Sequence, residues 1–118
     1  MKCHLEQNNQ ILVSCPLAKA SQIIGDIWMI LIVNELLSGN NKFGEIHEKI
    51  SEIHLPNKMS TKTLSDRLKF LVDQKLVDRI VETSSPIAVD YKLTKKGRAL
   101  EGVIQELRKY GVENFGGS

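Results

Sequence analysis

Cysteine, proline and aromatic residues are all scarce here: two cysteines, three prolines, one tryptophan, two tyrosines and three phenylalanines among 118 residues. Two cysteines are too few for a disulfide-stapled scaffold. Three prolines and no glycine repeat exclude collagen-like and low-complexity chains, and the 42% apolar and 25% charged fractions are those of a globular domain. Long hydrophobic runs are missing too. The longest, Ile27 to Val33, sits between Asp26 and Asn34 and is far short of the roughly 20 residues that span a bilayer. Near the start, Lys2 is followed by polar Glu6, Gln7, Asn8 and Asn9 rather than by the apolar centre of a signal peptide. The expectation is a cytoplasmic protein of one domain, without a membrane partner. There is no glycine-rich phosphate loop, no Gly-x-Ser-x-Gly phrase and no acid pair placed for a cleft, so neither an enzyme nor a cofactor is expected. Cys3, His4, Cys15, His47 and His54 show no zinc-like spacing, so no metal is expected either; His47 reads as a surface residue and His54 as a loop residue.

Charge is present, and it is unevenly spread. The net charge of +2 conceals ten Lys/Arg against five Asp/Glu between residues 58 and 98, while the segments on either side carry more acids than bases. A cationic segment of this kind is either a solvated surface or a site for phosphate, whose neutralisation releases counterions.

Periodicity orders the rest of the chain. Pro16 suits the first position of a helix capped by Ser14 or Cys15 and ended by Gly25, and Asp26 caps a second whose residues Ile27, Trp28, Ile30, Leu31, Ile32 and Leu36 are apolar almost all round. Phe43, Ile46 and Ile50 mark a third helix, and Ile53 to Met59, with Pro56 and Asn57, reads as loop. From Ser60 a fourth helix places Leu64, Leu68, Leu71 and Val72 on one side and Lys62, Asp66, Lys69 and Asp73 on the other. Val77–Glu82 and Ile87–Leu93 alternate as a hairpin, after which Thr94 caps a last helix with an apolar stripe of Leu100, Val103, Ile104 and Leu107. That stripe needs a cover, and the same stripe on a second copy supplies one, so a homodimer is expected; the alternative is that the helix folds back on its own domain.

Helix, hairpin and helix in that order make an α+β, mostly α, winged helix-turn-helix with additional N- and C-terminal dimerisation helices. It divides into an arm (1–14), first helices (15–58), a recognition helix (60–75), a wing hairpin (76–93), a C-terminal helix (94–111) and a tail (112–118). The phrases Cys15-Pro16, Ile24-Gly25-Asp26-Ile27-Trp28, Glu35-Leu36-Leu37 and Phe43-Gly44-Glu45-Ile46 are followed by Met59 to Lys69, Leu76-Val77-Asp78-Arg79 and Val89 to Gly97. In that order and spacing they resemble the HxlR-type transcriptional regulators, relatives of MarR-type winged-helix proteins. The resemblance implies a homodimer on an inverted-repeat operator in double-stranded DNA, with recognition helices about 34 Å apart. Four departures stand out: Ile27 replaces a cation before the tryptophan, Asp26 replaces a second glycine, the Phe43-to-Ser60 connection is long, and the wing turn from Thr83 to Ala88 has no Lys or Arg.

Candidate DNA contacts follow from chemistry. Ser60 is either a plain N-cap or, with Thr61, a phosphate contact at a helix start. Lys62 suits guanine, Ser65 several base edges and Thr63 the thymine methyl; Asp66 accepts from cytosine or pairs with Lys62. Lys69 lies on the same outward face. Arg67 braces either a phosphate or an internal carboxylate, and Arg79, Lys92, Lys95 and Lys96 are phosphate candidates or solvated charges. The runner-up function is a winged-helix module that binds protein instead of DNA. Cys15 stands at a helix start where the dipole favours a thiolate, the form that oxidants attack; it is the candidate sensor of an oxidant or small-molecule effector, with packing as the alternative. In the cytoplasm it is expected to be reduced.

Overall fold

The computed structural model describes residues 15–116. The expected arm, with Ser14, Cys3 and His4, lies outside the described residues, as do residues 117–118 of the expected tail. Among the described residues three short helices come first. Helix α1 (Pro16–Ile24) has proline at its first position and closes on Gly25, whose N–H donates to the Ser21 carbonyl at 2.7 Å. A Cβ at Gly25 would stand 2.5 Å from that same oxygen, so a glycine is required there. Helix α2 (Ile27–Leu37) starts where Asp26 Oδ1 accepts the Met29 N–H at 3.1 Å, and it buries Met29, Ile32, Val33 and Leu36. Helix α3 (Phe43–Ser51) is closed by Glu45, which accepts the Lys42 N–H at 3.1 Å, and buries Ile46 and Ile50.

The long connection that follows is pinned at its far end. Met59 is buried, and its carbonyl lies 2.9 Å from His47 Nε2, so His47 anchors the approach to the next helix and is not the plain surface residue expected. Helix α4 (Thr61–Asp73) is capped by Ser60, whose Oγ accepts the Thr63 N–H at 3.0 Å. Its inner residues Leu64, Leu68 and Leu71 are all buried, each worth about 1.5–3 kcal/mol of burial.

Strands β1 (Val77–Glu82) and β2 (Ala88–Leu93) form an antiparallel hairpin in register from Val77 opposite Leu93 to Glu82 opposite Ala88; its turn includes a cis Ser85–Pro86 peptide. The base of β2 is tied to the turn before α3. Tyr91 N–H donates to the Asn41 carbonyl at 2.9 Å, and Lys42 Nζ pairs with Asp90 Oδ1 at 2.5 Å. This arrangement is a winged helix-turn-helix: α3, a long turn, α4, then the hairpin. Helix α2 runs through the centre, packed by α3, α4, β2 and the C-terminal helix.

The last helix differs from the single run expected over 94–111. Thr94 Oγ1 accepts the Gly97 N–H at 3.1 Å and donates to the Lys75 carbonyl at 2.8 Å, so the chain makes a short turn, α5 (Lys95–Arg98), locked to the end of α4. Lys75 itself sits at φ +62, the left-handed corner that lets α4 stop and β1 begin. Gly97 approaches so closely that a Cβ there would stand 2.1 Å from the Leu76 carbonyl. After Ala99, α6 (Leu100–Phe115) continues past Gly111, where a tail was expected. Asn114 Nδ2 donates back to the Tyr110 carbonyl at 3.0 Å, and the Phe115 ring meets Tyr110 edge-on at 6.3 Å; these contacts carry the helix to Gly116 at φ +70.

Candidate nucleic-acid interface

The fixed inner face of α4 dictates what its outer face offers. Leu64, Leu68 and Leu71 repeat at helical spacing and are locked in the core, so Thr61, Lys62, Ser65, Asp66 and Lys69 are turned outward and are exposed. Ser60 is occupied as a cap, and its hydroxyl also donates to Thr63 Oγ1 at 3.0 Å; Thr63 is therefore half-buried and engaged locally, not free on the outer face. Lys62 Nζ and Asp66 Oδ2 form the i,i+4 pair at 2.9 Å. Both side chains are largely exposed, so the pair is a weak one that a phosphate can displace.

The remaining cations separate by what they touch. Arg67 turns inward: its Nε and Nη2 lie 3.1 and 3.0 Å from Asp26 Oδ2, so of its two roles the internal carboxylate is the one seen. Lys96 reaches back to donate to the Gln74 carbonyl at 3.1 Å, covering the C-terminal end of α4, where a cation complements the helix dipole. Lys92 and Arg79 stand on opposite faces of the hairpin, because Lys92 pairs across from Asp78 and Arg79 from Tyr91. Only Arg79 shares the face of buried Val77 and Leu93 that turns toward α4. Lys95 is exposed on α5. The structure thus brings Ser65 and Lys69 of α4 beside Arg79 of β1, with Lys62 exposed on the same outer face of α4, and these are the candidate contacts that remain.

Sequence reasoning missed Tyr91, which lies against Arg79 beside Ser65 and Lys69. The signal was available: counting outward from the turn pairs 79 with 91. It also missed Lys42, whose ammonium is held above its ordinary value of 10.5 chiefly by its hydrogen bond to Asp90, against a smaller opposing effect of desolvation.

Cys15 is a correction. It is buried at the start of α1 and disulfide-bonded, not the reduced thiol expected. The expectation rested on compartment, whereas a bond depends on which sulfurs the fold brings together. Among the described residues no single helix is long and apolar enough to cross a membrane.

Comparison with known proteins agrees with this geometry. The family model described as HxlR-like helix-turn-helix matches residues 23–117. The HTH-type transcriptional regulator YvaP of Bacillus subtilis is 40% identical over 100 residues, covering 84% of this chain and 87% of its own. YodB of the same organism is 38% identical over 97 residues, 81% of either chain. The solved structure of reduced YodB superposes with a TM-score of 0.69 at 36% identity, covering 85% of this chain and 93% of that one. The redox regulator HypR in its oxidized form gives 0.72 at 26%, covering 85% and 97%.

Proposed function

We propose that this chain, a helix-turn-helix transcriptional regulator that belongs to the HxlR-like family, acts in the cytoplasm as a homodimeric repressor whose α4 reads an inverted-repeat operator. One observation carries the reading: α4 presents Lys62, Ser65 and Lys69 outward from a helix whose opposite side is fully buried, with Arg79 alongside. Lys62 reaches base edges in a major groove, and Thr61 at the helix start meets a phosphate. The second copy covers α6. Leu107, Tyr110 and Phe115 are 41%, 61% and 82% exposed along it, and Leu17 of α1 is 69% exposed; a symmetric pair buries the same stripe twice.

The bound state responds to oxidants through Cys15. Its disulfide supports this, as does the likeness to YodB, solved both reduced and diamide-treated, and to HypR, solved both oxidized and reduced. A gel shift with DNA from upstream of the protein's own gene, run over a salt series, tests the DNA reading. Binding is expected to weaken with salt, and Lys62→Ala to weaken it further, with a log–log slope shallower by about one if Lys62 meets a phosphate. No shift at any salt would favour the protein-binding module instead. Running the same assay with and without dithiothreitol tests the redox arm: the affinity changes in the wild type and stays fixed in Cys15→Ser.

A further inference from the structure

We infer that this chain grips one DNA phosphodiester at the base of its hairpin, in a notch between α4 and the two strands, and not at the hairpin tip. The inference rests on the DNA-binding reading above and assigns it a place. The notch has a volume of about 290 Å³ and is lined by Ser65, Lys69 and Val72 of α4, Arg79 of β1 and Tyr91 of β2. Residues 65, 69 and 72 form one stripe at helical spacing, and Arg79 stands directly opposite Tyr91 in the ladder, which brings their Cβ atoms within about 5.5 Å. Three elements therefore converge on one spot.

Its chemistry suits a phosphate monoanion. Two cations, a serine hydroxyl and a phenol supply donors, Val72 gives an apolar floor, and no carboxylate lines the space. Other cations of the neighbourhood are engaged: Lys62 with Asp66, Arg67 with Asp26 and Lys42 with Asp90. Among the described residues Lys69 and Arg79 form no ion pair, and both line this notch. The tip offers the reverse. From Thr83 to Ala88 it carries no cation, and Ile87 is 73% exposed there. A duplex lying along the outer face of α4 passes its backbone over the base of the hairpin first, where phosphate contacts set its register.

Salt-dependent binding of the full-length protein to DNA from upstream of its own gene tests the inference. Arg79→Ala and Lys69→Ala are each expected to lower affinity about tenfold at fixed salt. Since both serve one phosphate, the double variant loses much less than the product of the singles, and its log–log slope is shallower than wild type by about one, not two. Tyr91→Phe lowers affinity several-fold with the slope unchanged, because a neutral donor displaces no counterion. Ser84→Ala with Ser85→Ala at the tip leaves binding at the wild-type level. Each variant is checked to melt like the wild type. A double variant whose losses multiply and whose slope falls by about two would overturn the shared seat, as would Arg79→Ala binding like wild type. Absence of salt-dependent binding by the wild-type protein would instead overturn the DNA-binding reading itself.

Discussion

Helices α4 and α6 are both amphipathic and of similar length, yet they use their leucines in opposite ways. On α4, Leu64, Leu68 and Leu71 are all fully buried, and the outer face is polar. On α6 only Ile104 is buried, while Val103, Leu107, Tyr110, Val112 and Phe115 are exposed. Helix α6 is nonetheless held in place, since Arg108 Nη2 donates to Asn34 Oδ1 of α2 at 2.8 Å. One helix is finished by its own domain and offers polar groups to an anion. The other is anchored along one edge and leaves apolar surface exposed, the surface that the proposed second copy would cover.

That contrast is broken most sharply by one substitution made twice. Leu71→Ala is expected to destabilise the fold by about 3 kcal/mol through lost burial and the cavity left behind, read as a lowered midpoint in urea. Leu107→Ala is expected to change the stability of the isolated domain by less than about 0.5 kcal/mol but to shift the dimer toward monomer in light scattering; an undiminished mass in Leu107→Glu as well would sink the assignment of α6 to the dimer. Next comes the brace behind α4. Asp26→Ala removes both the α2 cap and the partner of Arg67, and, for groups about a third exposed, a cost of about 1–2 kcal/mol is expected in the same urea assay. On the outer face, Asp66→Asn should cost under about 0.5 kcal/mol in stability, the worth of an exposed i,i+4 pair, while raising DNA affinity by removing a carboxylate from the interface. The smallest effect concerns pH. Lys42 has a folded-state value raised by Asp90, so its contribution is complete below 10.5 and fades as pH rises through the raised value. Asp90→Asn is expected to lower stability slightly at neutral pH, where the pair is intact, and to flatten the alkaline limb of a stability-versus-pH curve, so that variant and wild type converge once pH passes the raised value.

Much of the fold was legible because local chemistry decides it. Pro16, Asp26, Ser60 and Thr94 each begin a helix where cap rules place one, and the period-two run from Val77 onward becomes a hairpin within a residue of its expected limits. What escaped depends on contacts distant in sequence. Arg67 is 41 residues from the carboxylate that holds it, and Lys96 is 22 from the Gln74 carbonyl it covers; no spacing rule connects either pair. The division of the last helix into α5 and α6 follows from the close approach of Gly97 to Leu76, a tertiary fact. Its extension to Phe115 goes with ring contact between Tyr110, inside the expected helix, and Phe115, which looked like part of a tail. The candidate site was half legible: helical spacing identified the outer face of α4, but which cations on that surface were already engaged required the partners to be seen.

Asp26 carries a consequence for angular accuracy. Its two oxygens are divided, Oδ1 to the first turn of α2 and Oδ2 to Arg67 of α4, so a single side chain ties the start of the buried helix to α4 beside their shared core. Helix α4 has 13 residues and is about 20 Å long, which means that a tilt of about 10° displaces its far end by about 3 Å, close to the 3.4 Å step from one base pair to the next. On the proposed DNA-binding reading, holding register on a duplex to a single base pair demands rigidity of a few degrees, and the Asp26 bridge between α2 and α4 contributes to it.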